Sequence, residues 1–98
     1  MWPTHLGIVD VEGTRHTLAL TGELDIVTAP VLEGAILHAH EAGAEHVALD
    51  CGGLDFIDST GLGTIVKLRR DGIPLSVIRE NDTVRRVFEL TGVPRVPA

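Results

Sequence analysis

The sequence predicts a single α/β domain over residues 1–98: a mixed β-sheet with an N-terminal hairpin and helices packed on the sheet. Three observations predict it. The chain is 44% hydrophobic but only 3% aromatic, so its core is built from Val, Leu, Ile and Ala, which suit strands covered by helices. Two short β-rich runs come first, and strand-like and helix-like periods alternate after them. Ninety-eight residues are enough for one core with little to spare.

Leu6–Val11 and residues 14–20 are the two β-rich runs, and Glu12-Gly13 between them reads as a hairpin turn. In the second run Leu18 and Leu20 alternate with Thr17, Ala19 and Thr21, so one face is buried. The segment Thr21-Gly22-Glu23-Leu24-Asp25 breaks this alternation and leads into a first helix. Thr28 is placed to cap that helix, with Pro30 in its first turn. Leu32, Ile36 and Ala39 line one face, with Ala35 beside them, and Gly43 closes the helix.

Residues 46–50 carry the continuous apolar run Val47-Ala48-Leu49, the pattern of a strand covered on both sides. Cys51-Gly52-Gly53-Leu54-Asp55 reads as a loop. A second helix starts at or near Ser59, carries Leu62, Ile65, Val66 and Leu68, and ends at Asp71-Gly72. Residues 74–78 form a further strand. Asn81 caps a third helix with Val84, Val87, Phe88 and Thr91 at helical spacing and Gly92 as its stop signal. Residues 93–98 add a short edge strand or stay loose. The order is β-β-α-β-α-β-α, with right-handed crossovers carrying the helices.

Composition narrows the function. The net charge is −6, from 14 acidic and 8 basic residues, a surface that repels phosphate backbones and argues against direct nucleic-acid binding. Cys51 is the sole cysteine, so no internal disulfide forms and a reducing, cytoplasmic setting is expected. No apolar run approaches the ~18 residues of a membrane span, so no membrane partner is expected.

The informative segment is Phe56-Ile57-Asp58-Ser59-Thr60-Gly61-Leu62-Gly63. A serine at a helix N-terminus meets unpaired N–H groups and a dipole that favours negative charge, so it serves either as a cap or as a phosphate acceptor. A hydrolase nucleophile elbow is not reproduced, because Ile57 stands where Gly-x-Ser-x-Gly needs its first glycine. An extra residue separates Asp58 from Gly61 relative to the Asp-Thr-Gly or Asp-Ser-Gly turn of aspartic proteases, and the helical pattern does not fit an all-β protease.

Gly61-Leu62-Gly63 lacks the lysine and spacing of a phosphate-binding loop. His38 and His40 point to nearly opposite sides of a helix, and the five histidines read as solvent-facing rather than metal-ligating. Cys51 reads as packing or loop filler. No cofactor and no metal are expected. Asp25, Asp55 and Asp58 read as residues of loops that follow strands, where α/β domains bind ligands and partners. With Ser59, the set Asp25, Asp58, Thr60 and Leu62 describes an acidic, partly apolar rim.

Gly22-Glu23-Leu24-Asp25, the Asp58-Ser59-Thr60-Gly61-Leu62-Gly63 motif and Val84-Arg85-Arg86-Val87-Phe88-Glu89-Leu90-Thr91-Gly92 together resemble the bacterial anti-sigma-factor antagonists, the STAS domains. The resemblance covers nearly the whole chain, and the second segment is its specific part. It implies a switch without catalysis of its own. Such an antagonist binds an anti-sigma factor that is also a serine kinase and so releases the sigma factor. Phosphorylation by that kinase ends the binding, and a serine phosphatase restores it.

By position, the acceptor is Ser59, with Thr60 the adjacent second choice, and Asp25, Asp58, Thr60, Gly61 and Leu62 belong to the partner surface. The other role the resemblance allows is a non-phosphorylated STAS subunit of a larger signalling or transport complex, with the serine only a cap. Two departures from the family stand out. The second helix is shorter by about one turn, which keeps its apolar face near phase. The usual C-terminal helix is absent before Ala98, which leaves apolar surface exposed or covered by a second copy in a homodimer.

Overall fold

The computed structural model describes residues 4–11 and 15–91. Its elements run β1 (Leu6–Val11), β2 (Arg15–Leu24), α1 (Ala29–Glu41), β3 (His46–Ile57), α2 (Ser59–Arg70), β4 (Leu75–Ile78) and α3 (Asp82–Thr91). The sheet order is β1-β2-β3-β4. β1 pairs antiparallel with β2, and β2–β3 and β3–β4 pair parallel. The mixed sheet follows from connection length: antiparallel neighbours need only a tight turn, whereas the parallel pairs are bridged by α1 and α2. The expected turn at Glu12-Gly13, the stop signal Gly92 and the 93–98 strand lie outside the described residues.

Alternate strand residues and one stripe of each helix build a single core. Leu18, Leu20 and Leu49 from the strands meet Ile36 of α1, Ile65 of α2 and Val84 of α3, all 1% exposed or less. The residues between them in register leave this core. Val9 pairs with Ala19 and Val11 with Thr17, and both valines are exposed. Burying a branched aliphatic side chain stabilises by roughly 1.5–3 kcal/mol, so this alternation fixes which face of each strand points inward.

The strands depart from the sequence reading in two places. Thr21-Gly22-Glu23-Leu24 continues β2 rather than breaking it, and Cys51-Gly52-Gly53-Leu54-Asp55 belongs to β3 rather than to a loop. The cause is a register shift. The β2–β3 ladder slips between Ala19 and Thr21 and again between Gly22 and Glu23, as extra residues do at a bulge. Gly22 has φ +90°, and a Cβ on Gly53 would stand 2.8 Å from the Leu20 carbonyl oxygen. These glycines let two strands continue where glycine usually signals a turn.

Asn81 locks the far side of this irregularity. Its amide nitrogen donates to the carbonyl of Leu54 at 2.6 Å and lies 3.3 Å from those of Cys51 and Gly52. Its carbonyl oxygen accepts from Val84 N at 2.9 Å. The expected cap of α3 therefore also ties that helix to the bulged strand. Cys51 is buried in β3, and desolvation, with the nearby Asp50 and Glu80 charges, pushes its thiol up to about 12. It is a packing residue within a strand, not loop filler.

Candidate functional site

β2 and β3 end side by side, and this juxtaposition creates the site. The Asp58 N–H donates to the Leu24 carbonyl at 3.1 Å, joining the end of β2 to the residue that starts α2. Gly61, in the first turn of α2, lies directly against Leu24. A Cβ there would fall 2.6 Å from Leu24 Cγ and 2.8 Å from the Leu24 carbonyl oxygen. No real Cβ tolerates such distances, so the glycine brings the helix start against the strand end.

Asp58 is the N-cap of α2, with extended backbone at φ −112° and ψ 179°. Its Oδ1 accepts from Gly61 N at 2.9 Å, and its carbonyl accepts from Leu62 N at 3.0 Å. The cap is thus an aspartate, as helix ends favour. Ser59 and Thr60 follow as the first two helical residues, both exposed. The Ser59 hydroxyl has no hydrogen-bond partner among the described residues. The backbone N–H groups of Ser59 and Thr60 are those a helix start leaves without an intrahelical partner.

The β2–α1 loop forms the other wall. Asp25 is 9% exposed, and its Oδ1 accepts from Val27 N at 2.9 Å and from Thr28 N at 3.1 Å. The Thr28 hydroxyl donates to the Glu23 carbonyl at 2.7 Å and accepts from Asp25 N at 3.0 Å. Thr28 holds the N-cap position of α1 but makes no side-chain cap bond, because its hydroxyl is engaged by the loop before the helix. Asp25 is therefore the residue that braces this loop.

The sequence-predicted residues converge here, at different depths. Ser59 and Thr60 face solvent and Asp58 is half-buried, whereas Asp25, Gly61 and Leu62 are buried. The last three shape the surface from beneath it. Asp55 lies within β3 rather than in a loop after a strand. Sequence reasoning passed over Ile26, Val27 and Val31, which are 69%, 66% and 53% exposed. The available signal was apolar residues around a capping threonine, where an ordinary surface loop carries polar ones.

The histidines do not all face solvent, as the sequence reading had them. His16 is buried, its Nδ1 3.5 Å from the Asp10 carboxylate, because position 16 shares the inward face of β2 with Leu18 and Leu20. His46 is half-buried, with Nε2 2.7 Å from Ser76 Oγ. Desolvation, then the Arg15 charge, lowers its pKa. No group of three or more His, Cys, Asp or Glu side chains among the described residues is arranged to hold a metal ion. No described helix is long and apolar enough to cross a membrane. An open groove of about 530 Å³ runs between Phe56 and α3, lined also by Arg85, Arg86, Glu89 and Leu90. Its charges are mixed, and Arg85 is paired with Asp82 and Glu89.

The family model described as "Mlab, STAS domain" matches residues 9–97. An anti-sigma-B factor antagonist of Staphylococcus aureus is 32% identical over 82 residues, spanning 80% of this chain and 76% of that protein. Among solved structures, an anti-sigma factor antagonist from Mycobacterium paratuberculosis superposes with a TM-score of 0.79. It is 23% identical and covers 96% of this chain and 87% of its own. The anti-sigma factor antagonist SpoIIAA in its unphosphorylated form has a TM-score of 0.71 at 24% identity, covering 91% and 82%. SpoIIAA, titled a Bacillus cell fate determinant, in its phosphorylated form gives 0.63 at 21%, covering 91% and 85%.

Proposed function

The chain belongs to the STAS domain family, and from that membership we propose that it is an anti-sigma factor antagonist whose binding is switched off by phosphorylation of Ser59. It binds an anti-sigma factor and so releases a sigma factor. The anti-sigma factor, acting as a serine kinase, supplies the catalysis, and the antagonist is the substrate. The Ser59 oxygen bonds to the γ-phosphorus of ATP, the bond to ADP breaks, and the hydroxyl proton is released. A serine phosphatase hydrolyses the ester and resets the switch.

The observation that carries this reading is the division of labour at the start of α2. Asp58 fills the cap, so the exposed Ser59 hydroxyl has no structural task and stands open to a kinase. A STAS subunit in which the serine is only a cap would need that hydroxyl where the Asp58 carboxylate sits. Relatives titled anti-sigma antagonists, one solved in both unphosphorylated and phosphorylated forms, support the same reading.

Physical chemistry gives the switch its direction. A phosphoryl group adds about −1.5 to −2 charge at neutral pH. The open N–H groups and the helix dipole at α2 accommodate that charge without unfolding the domain. A docked partner instead meets a bulky, hydrated dianion beside Asp58 where there had been a hydroxyl. The block is local.

Intact mass after incubation with each candidate anti-sigma kinase and ATP tests acceptor and partner together. Wild type is expected to gain one phosphoryl group and Ser59→Ala none. Ser59→Ala is expected to retain binding and Ser59→Asp to lose it. Equal binding by both variants overturns the charge switch.

A further inference from the structure

Resting on that reading, we infer that Ile26, Val27, Pro30 and Val31 form the apolar centre of the surface that docks the anti-sigma factor, and that they set its affinity independently of Ser59. Their exposure comes first. All four are exposed, and they crowd into six consecutive positions across the β2–α1 loop and the first turn of α1. Among the described residues, the other large exposed apolar side chains lie apart from them in the chain, Val9 and Val11 on β1, Phe56 on β3 and Leu90 on α3.

The patch is pre-shaped. The Asp25 carboxylate and the Thr28 hydroxyl fix the backbone at residues 25, 27 and 28, so little loop entropy remains to be lost on binding. Ordering two exposed β-branched residues on a rigid loop serves no core, since neither is buried. The loop is also continuous with the phosphorylation site. Leu24, two residues before Ile26, accepts the hydrogen bond from Asp58, immediately before Ser59.

Charge identifies the occupant. Residues 26–32 contain no charged side chain. Glu23 and Asp58 stand at the joined ends of β2 and β3 beside the loop, and Glu33 on the far side is paired with Lys67 at 3.5 Å. An apolar centre within a charged rim is the anatomy of a protein interface. On the side facing Ser59 the rim is acidic, through Glu23 and Asp58, so the surface fits an anti-sigma factor face that presents an apolar patch edged there by lysine or arginine. Stable interfaces bury about 800 Å² per partner. Four side chains supply only part of that, so the patch is the middle of a surface that reaches the Ser59 and Thr60 rim rather than a self-sufficient dimer contact.

The experiment measures affinity of the full chain, as wild type and as Ile26→Ser/Val27→Ser, for the purified anti-sigma factors of its own genome. The double variant is expected to bind at least about tenfold more weakly, as apolar anchors at interface centres do, with an unchanged unfolding midpoint. Val31→Ser, on the outer face of α1, repeats the measurement should the loop variant unfold. A smaller loss in a folded variant overturns the patch and leaves the proposed function standing. Failure of wild type to bind any anti-sigma factor overturns both. A wild-type dimer that the variant dissolves while anti-sigma affinity stays constant assigns the patch to a second copy and overturns the inference.

Discussion

Asp58 Oδ1 accepts the Gly61 N–H at 2.9 Å, and this one bond separates the two jobs available at the start of α2. The aspartate holds the helix end together, and the serine beside it stays free. The two residues are adjacent in sequence, yet stability depends on one and the proposed switch on the other. Asp58→Ala is expected to cost about 0.5–2 kcal/mol through loss of the cap. Ser59→Ala is expected to stay within about 0.5 kcal/mol of wild type, as exposed positions without partners do. Urea unfolding of both variants checks this, and a Ser59→Ala loss as large as that of Asp58→Ala would place the serine in the cap after all.

Gly61 and Gly63 give a matched pair on the same helix. A Cβ at position 61 collides with the Leu24 carbonyl, which is backbone and cannot swing aside, whereas nothing lies within 4 Å of a Cβ at position 63. Gly61→Ala is expected to destabilise by about 1–3 kcal/mol, the range for overpacking. Gly63→Ala is expected to stabilise by about 0.4–1 kcal/mol, because it removes unfolded-state freedom at a helical site. Thermal unfolding of the two variants decides it. A Gly61→Ala protein as stable as wild type would mean that the junction of β2 and α2 is not tight.

These residues also mark how far the sequence was legible. The bounds of α2 were readable because local pattern and tertiary burial agree there: the Leu62, Ile65 and Leu68 stripe is its buried face. Those of β1 followed from its run of β-forming residues, although Val9 and Val11 are exposed. Residues 21–24 and 51–57 were not, because Gly22 and Gly53 carry the signal of a turn while serving a bulge, and only the neighbouring strand distinguishes the two. Thr28 misled in a similar way. Its residue type suits a cap, but the competing acceptor, Glu23 O, is five residues back along a chain whose course is set by the sheet. At the site, the positions of Ser59 and Asp58 were readable from the motif. The apolar loop beside them was not, since exposure is a property of the assembled fold.

His46 makes stability depend on pH in a definite direction. Its folded pKa is lowered by desolvation and then by Arg15, while the unfolded imidazole titrates near about 6.5. Below that value the unfolded chain binds the proton more readily than the folded one, so stability falls with pH. The contribution is fully present above about 6.5 and is lost as pH drops towards the folded value. The urea midpoint is expected to be lower at about pH 5.5 than at about pH 7.5, and His46→Gln is expected to shrink that difference. An identical decline in wild type and variant would remove His46 from the account.

Asn81 provides the sharpest test of how α3 is fixed to the sheet. Its amide acts in both directions, donating to Leu54 O and accepting from Val84 N. Asn81→Ala removes a helix cap and leaves strand carbonyls without their donor, an expected cost of about 1–3 kcal/mol. Asn81→Asp preserves the cap acceptor in nearly the same shape but turns a carboxylate oxygen towards the Cys51, Gly52 and Leu54 carbonyls. Were capping the whole role, aspartate would be neutral or better, since a negative charge suits a helix N-terminus. Because the donor side faces three oxygens, the aspartate variant is expected to be at least as destabilised as the alanine variant at neutral pH. It should recover as its carboxyl is protonated, since a protonated acid can donate to Leu54 O again. Urea midpoints of the two variants across the acidic range, each referred to wild type at the same pH, measure this, and an Asn81→Asp protein with wild-type stability at neutral pH would show that the strand clamp contributes nothing.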